Sequence, residues 1–429
     1  MAKTIKIQFA VYCAYPNGNQ DIILVGSMLK LIYDNPSEER SMRQPAVGIN
    51  PKLLKWARET SGYSIEKVAS ALKKDPESIR AWEAGTELPT YRQLEKLAYQ
   101  LYKRPMALFF FPEPPDETQP SKSFRTLPKN EIDELYSDTL IALRKARAMQ
   151  LALYELTDGH NPTPKCIFRD LKFSVSDNIS QNASDVREYL QIPLDDQLAW
   201  KDPRQALNKW REATENVGIF VFKRALKQKE ISGFCLMDEE FPIIYLNNSS
   251  TQTRQIFSLF HELAHILLRE NGVTKSDITY VKSLTGQYKT IETFCNAFAA
   301  EFLVPSGDFF RFQQFDFHND SEVGELAYIY KVSREVILRK ALDIQLVDQN
   351  HYELKAREWA SQANQKSKAS GGGDYYRTQA SYLGAKFINL AFEQYYQRHI
   401  TREQLADYLN VKAKNLEHLD PLNVFRKSA

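Results

Sequence analysis

His261, Glu262 and His265 form a His-Glu-x-x-His array inside an apolar stretch, Phe257 to Leu268, that meets no Gly or Pro before Gly272. On a helix, four residues advance about 6 Å and turn slightly past a full circle, so both imidazoles reach one ion from the same face. Glu262 lies about 100° further round, beside the ion rather than on it. A cation in that position polarises a water, the carboxylate takes its proton, and the resulting hydroxide attacks a carbonyl, so the chemistry implied is hydrolytic and the expected cation is Zn²⁺. With 7 histidines in the chain, composition alone would produce the array by accident on the order of one time in a hundred. An apolar helix that buries three polar groups also needs a reason to do so.

A catalytic zinc site takes three protein ligands and leaves one position open. The segment Ile291 to Pro305 offers two glutamates, Glu292 and Glu301, whose spacing puts them about 180° apart on a helix. Only one can face the ion. Asn296 and Ala299 share the face of Glu292 and let a second helix approach closely, which favours Glu292 as third ligand; Glu301, Glu270 or a distant His are the alternatives.

Phe260-His261-Glu262-Leu263-Ala264-His265 followed by Glu292-x-x-x-Asn296-x-Phe298-Ala299-Ala300-Glu301-x-Leu303-x-Pro305 resembles the ImmA/IrrE family of zinc metallopeptidases, which relieve repression by cutting a partner repressor. The match covers roughly residues 200–345. The resemblance implies that His261, His265 and Glu292 bind zinc and that Glu262 is the catalytic base.

The elements that must position these residues are spread over 429 residues with 43% hydrophobic content, enough for two or three domains. A net charge of +2 carries no chain-wide signature of nucleic-acid binding, so any DNA surface is local. Cys13, Cys166, Cys235 and Cys295 lack metal-type spacing and read as reduced, buried thiols of a cytoplasmic protein. No stretch approaches the 18 or so apolar residues of a membrane span.

In chain order, residues 1–41 alternate around Pro16-Asn17-Gly18-Asn19 like a β-hairpin extension. Residues 42–104 read as a bundle of short helices at 51–60, 64–72, 76–84 and 90–102, with Ser64, Asp75 and Thr90 as caps and Gly85 as a stop. Ser64-x-x-x-Val68-Ala69 with Ile79-x-x-Trp82-Glu83-x-Gly85-x-x-x-Pro89 resembles the phage-repressor, XRE-type helix-turn-helix. Residues 105–128 read as a Pro-rich linker, and 129–345 as a zincin-like peptidase domain with three short strands at 218–222, 233–237 and 242–247, in which Ser250 or Thr251 caps the metal-bearing helix. Residues 346–374 read as a flexible linker with Gly371-Gly372-Gly373, and 375–429 as a helical tail. The expected fold class is α+β and mostly helical.

The candidate DNA contacts are Ser64, Lys73, Lys74, Glu77, Ser78 and Arg80. The first positions of the recognition helix lack the Arg, Asn or Gln that read bases bidentately. Backbone contact from Lys73, Lys74 and Arg80 competes there with a protein-binding or dimerising role.

The function expected is a cytoplasmic zinc endopeptidase with a helix-turn-helix module, acting on a repressor-like protein in phage, mobile-element or toxin-antitoxin control. Double-stranded DNA, a repressor or toxin partner, and a homo-oligomer are the associations such a chain implies. The alternative is an antitoxin or transcriptional regulator that binds DNA and a partner while its zinc site is structural or vestigial. His318, Tyr245 and Tyr280 are further polar groups that could assist a transition state, though structural roles suit each of them better.

Overall fold

The computed structural model describes residues 44–115, 136–275, 284–366 and 374–421. The hairpin expected at 1–41, most of the Pro-rich linker, Tyr280 and the triple glycine lie outside them. The described chain forms two compact units: one gathers residues 44–115, 136–151 and 393–417, the other 152–275, 284–366, 374–392 and 418–421.

In the first unit, α1 (Pro51–Thr60), α2 (Ile65–Leu72), α3 (Pro76–Ala84) and α4 (Tyr91–Glu95) follow the capping residues of the sequence. Ser64 accepts the Lys67 N–H at 3.2 Å, and Thr90 with Gln93 forms a reciprocal capping box. Gly85 ends α3 at φ +76°, where a Cβ would strain the backbone. Asp75 precedes Pro76 in extended backbone but makes no side-chain cap hydrogen bond. Leu53, Leu54, Val68, Ile79, Trp82 and Leu94 form the core. Arg58 of α1 grips Glu83 of α3 through two bonds, at 2.7 and 3.0 Å.

Residues 106–110, expected in a linker, belong to the core of the first unit. Met106–Phe110 is a 3₁₀ turn whose Met106, Ala107, Leu108 and Phe109 are buried, because an aromatic and aliphatic run can complete a small helical core even when prolines follow it. The following helix, α5 (Ser137–Leu156), was expected in the peptidase region, yet its residues up to 151 group with the first unit.

The second unit is built on a sheet with strand order β1-β3-β2-β4: β1 (Phe220–Arg224), β2 (Ile231–Leu236), β3 (Ile243–Asn247) and β4 (Val273–Lys275). β1 runs parallel to β3, while β2 is antiparallel to both β3 and β4. The sequence reading held three strands. The fourth is only three residues long, too short for alternation to register, and is recruited by pairing to β2. Around it stand α6 (Ile179–Leu190), α7 (Pro203–Asn216), α8 (Gln252–Leu267) and α9 (Gly286–Leu303): α7 and α8 pack on the sheet, α9 on α8 and α6 on α9; then come α10 (Asp320–Tyr330) and α11 (Arg334–Asp343).

Residues 349–366, placed in a flexible linker by the sequence reading, form α12 (Gln349–Lys366), whose Tyr352, Ala356 and Trp359 join the core. Its apolar positions are sparse among charges, so periodicity understated it. The helical tail is not separate either. α13 (Tyr375–Leu383) packs against β1, and Phe387 of α14 (Ala385–Tyr396) meets Phe222 edge-on at 5.4 Å. Residues 393–417, including α15 (Arg402–Tyr408), group with the first unit. Among the described residues no helix is long and apolar enough to cross a membrane.

Lys223 on β1 is an expensive core residue. It is 5% exposed, and burial together with the Arg211 guanidinium pushes its pKa down to about 7, with Glu215 only partly offsetting them. The unfolded chain holds that proton up to about pH 10, so folding loses stability as pH falls from about 10 to about 7, and the loss is complete below that. Lys223→Met is therefore expected to stabilise the second unit by on the order of 1–3 kcal/mol at neutral pH and by little near pH 10. Thermal unfolding across that pH range checks it; equal gains at both ends would contradict it.

Candidate metal centre

Thr251 starts α8 by accepting the Arg254 N–H at 3.3 Å. From there, alternate turns of the helix bury Ile256, Leu259, Phe260 and Leu263 completely. Phe260 stacks on Phe302 of α9 at 4.1 Å, and Trp210 of α7 meets Phe260 edge-on at 4.9 Å. Aromatic contacts of this kind add about 0.5–1.5 kcal/mol each beyond area burial, and here they fix which face α8 turns toward α9.

On that face His261 Nε2 and His265 Nε2 lie 3.2 Å apart. Glu292 of α9 places Oε2 3.2 Å from His261 Nε2 and Oε1 3.2 Å from His265 Nε2. Bonds of 2.0–2.1 Å to a tetrahedral cation put its donor atoms about 3.3 Å apart, so these separations fit one first-row divalent ion. Asn296 Oδ1 stands 3.0 Å from His261 Nδ1. An amide oxygen can only accept, so Nδ1 carries the proton and Nε2 turns its lone pair toward Glu292 and His265. Burial works to raise the Glu292 carboxyl pKa, but the charge of the adjacent His265 ring leads the effects that outweigh it and hold Glu292 well below the usual carboxylate range. The side chains of His261, His265 and Glu292 are 1%, 0% and 4% exposed.

Glu262 is fully buried and faces β2, where a Cβ added to Gly233 would come within 3.6 Å of its Oε1. The Cys235 thiol hydrogen-bonds Glu262, and burial together with that carboxylate pushes the thiol pKa well up. Cys235 in turn is held by Gly272, whose N–H reaches its Sγ at 3.2 Å and whose C=O accepts its N–H at 3.0 Å.

Gly272 also meets the other side of the site. A Cβ there would lie 2.5 Å from His265 Cδ2 and 2.8 Å from its Nε2. Gly272→Ala is therefore expected to push the imbedded imidazole off its position and weaken metal binding by about 10–100-fold, as losses of supporting groups around metal ligands do. Competition with a chromophoric chelator measures this, and unchanged affinity would contradict it.

The other candidates for the third donor lie elsewhere. Glu301 pairs with Lys340 and accepts hydrogen bonds from Ser306 Oγ at 2.6 Å, Ser306 N at 3.1 Å and Ser180 Oγ at 3.0 Å, which makes it a clamp between helices. Glu270 follows the end of α8, its N–H on the His265 carbonyl at 2.9 Å. His318 sits 3.5 Å from Asp316 and beside the His351 ring at 4.4 Å. Tyr245 on β3 stacks on Phe234 at 4.9 Å.

In the first unit, Ser64, Lys73, Lys74, Glu77 and Arg80 are exposed and Ser78 half-buried around the α2–α3 turn. Lys73 adopts φ +55° as the cap of α2. Arg80 Nη1 lies 2.5 Å from Glu77 and its Nη2 3.6 Å from Glu66, so much of its charge is answered within the module.

Three neighbours of the centre escaped the sequence reading. Cys295 stands one turn after Glu292 on α9, and that spacing was a usable signal. Cys235 and Gly272 come together only through sheet pairing, which no local pattern announces.

Residues 214–342 match the peptidase M78 family model, the IrrE N-terminal-like domain, a stretch that contains His261, Glu262, His265 and Glu292. Residues 54–99 match the helix-turn-helix model. No curated protein matches the chain.

Proposed function

We propose that the chain is a zinc-dependent endopeptidase carrying a DNA-binding helix-turn-helix module, and that it cleaves a repressor-like regulatory protein in phage, mobile-element or toxin-antitoxin control in the cytoplasm. The observation that carries this reading is the convergence at 3.2 Å of His261 Nε2, His265 Nε2 and the Glu292 carboxylate, with Glu262 on the same helix. These three side chains would hold zinc, which supplies Lewis acidity toward a water and a peptide carbonyl. Glu262 takes the proton of the attacking water and returns it to the leaving amine. Asn296 keeps the His261 ring in the tautomer that points Nε2 inward.

An extended peptide would be held by backbone pairing along a sheet edge. β4 suits this role, since it follows Gly272 against the His265 ring while α13 packs on β1, the opposite edge. In the other unit, Lys73 and Lys74 serve phosphate contact, and Ser64, Glu77, Ser78 and Arg80 flank it. A module with its Arg80 tied to two glutamates binds DNA through the backbone more than through bases, with a steep salt dependence.

The test is incubation of the zinc-loaded chain with the regulator encoded beside it. Cleavage by the wild type and none by Glu262→Gln supports the reading; cleavage by both, or by neither, overturns it. The near-complete burial of the four site residues favours a second reading, a DNA-binding regulator or antitoxin with a structural metal. Under it, Glu262→Gln neutralises the partner as well as the wild type does.

A further inference from the structure

We propose that Cys295 is a fourth protein ligand that closes the metal centre in its resting state, an inference that rests on the metal reading above. Cys295 lies on α9 three residues after Glu292, hence on nearly the same helix face. One ligand atom each of His261, His265 and Cys295 lie within 4.8 Å of one another, and all three residues are buried. The thiol thus needs only a small side-chain or helix adjustment to reach a thiolate–metal bond of about 2.3 Å.

Ligand preference gives the reason to make that adjustment. Two imidazoles and one carboxylate leave a tetrahedral divalent ion one position to fill, and a sulfur already buried beside it is a donor that zinc takes readily in closed sites. The Cys295 thiolate then stands where a water would. In that step the S–H bond breaks, its proton leaves to the buffer, and the sulfur lone pair forms the bond to the metal. His265 already touches the sulfur, since its ring and the Cys295 thiol share a hydrogen bond, while the His261 ring is held by Asn296.

Four protein ligands make a closed site of the structural kind, and an open position appears only when the sulfur withdraws. Cys295 therefore sets the resting state of the centre, and the substrate or partner that displaces it sets the active one.

Co²⁺ loaded into the full-length chain, in place of zinc, reads both questions separately. Visible ligand-field bands of a four-coordinate ion report that His261, His265 and Glu292 bind metal at all. A near-ultraviolet thiolate-to-cobalt charge-transfer band reports sulfur. The expected result is both signals in the wild type and in Cys235→Ala, with only the charge-transfer band lost in Cys295→Ala. Ligand-field bands without the sulfur band in the wild type, or a sulfur band that survives in Cys295→Ala, would overturn the role of Cys295 and leave the metal reading intact. Absence of any cobalt spectrum would overturn both.

Discussion

Glu262→Gln is expected to keep the fold and the bound cation while peptide-bond cleavage falls by about 10²–10⁴-fold, the range that removal of a positioned general base produces. The substitution is nearly isosteric, so the packing of α8 against the sheet persists. Glutamine can still accept from the Cys235 thiol, which hydrogen-bonds Glu262 in the wild type. What it cannot do is take a proton. Because the loss falls on the chemical step, it belongs in kcat rather than KM. Metal content measured on the same preparation separates this outcome from simple loss of the ion. A variant that loses metal and activity together would instead make Glu262 a structural support of the site.

The second large effect lies in the helix-turn-helix unit. Glu83→Ala is expected to destabilise it by about 3–5 kcal/mol, because it strands the Arg58 guanidinium in a buried position. Arg58 and Glu83 side chains are 10% and 9% exposed, and their two bonds join α1 to α3. Arg58 keeps only the Tyr63 carbonyl at 3.1 Å and the exposed Glu59 at 3.2 Å. The surface pair of Arg80 and Glu77 offers the contrast: Glu77→Ala should change stability by less than about 1 kcal/mol. Hydrogen exchange at the amides of Leu53, Leu54 and Ile79 reads the unit directly. Protection that survives in Glu83→Ala would mean that the pair contributes little.

The legible parts of the chain were those whose chemistry is local. Two histidines one helical turn apart share a face whatever surrounds them. Glu292 and Glu301 fall on opposite faces by helical arithmetic, and the structure places Glu292 beside the histidines and Glu301 on Lys340 and Ser306. Caps at Ser64, Thr90 and Thr251 were equally local. Features made by distant pairing were not legible. β4 exists because β2 presents a free edge to three residues after α8, and Gly272 matters because that return brings backbone onto the His265 ring. α12 hid its core residues among charges, and the unit boundaries hid because residues up to 151 and residues 393–417 return to the first unit. Cys295 had the right spacing but the composition of an ordinary core thiol.

The proposed chemistry depends above all on one ion held between α8 and α9. Metal analysis with X-ray absorption on the full-length chain, alongside Glu292→Ala, tests this most directly. The expected result is about one zinc per chain with nitrogen and oxygen donors at roughly 2.0–2.1 Å, joined by one sulfur at about 2.3 Å in the closed resting state, and the zinc is lost in the variant. A wild type without bound cation, or a variant that retains the same zinc with the same ligands, would contradict it.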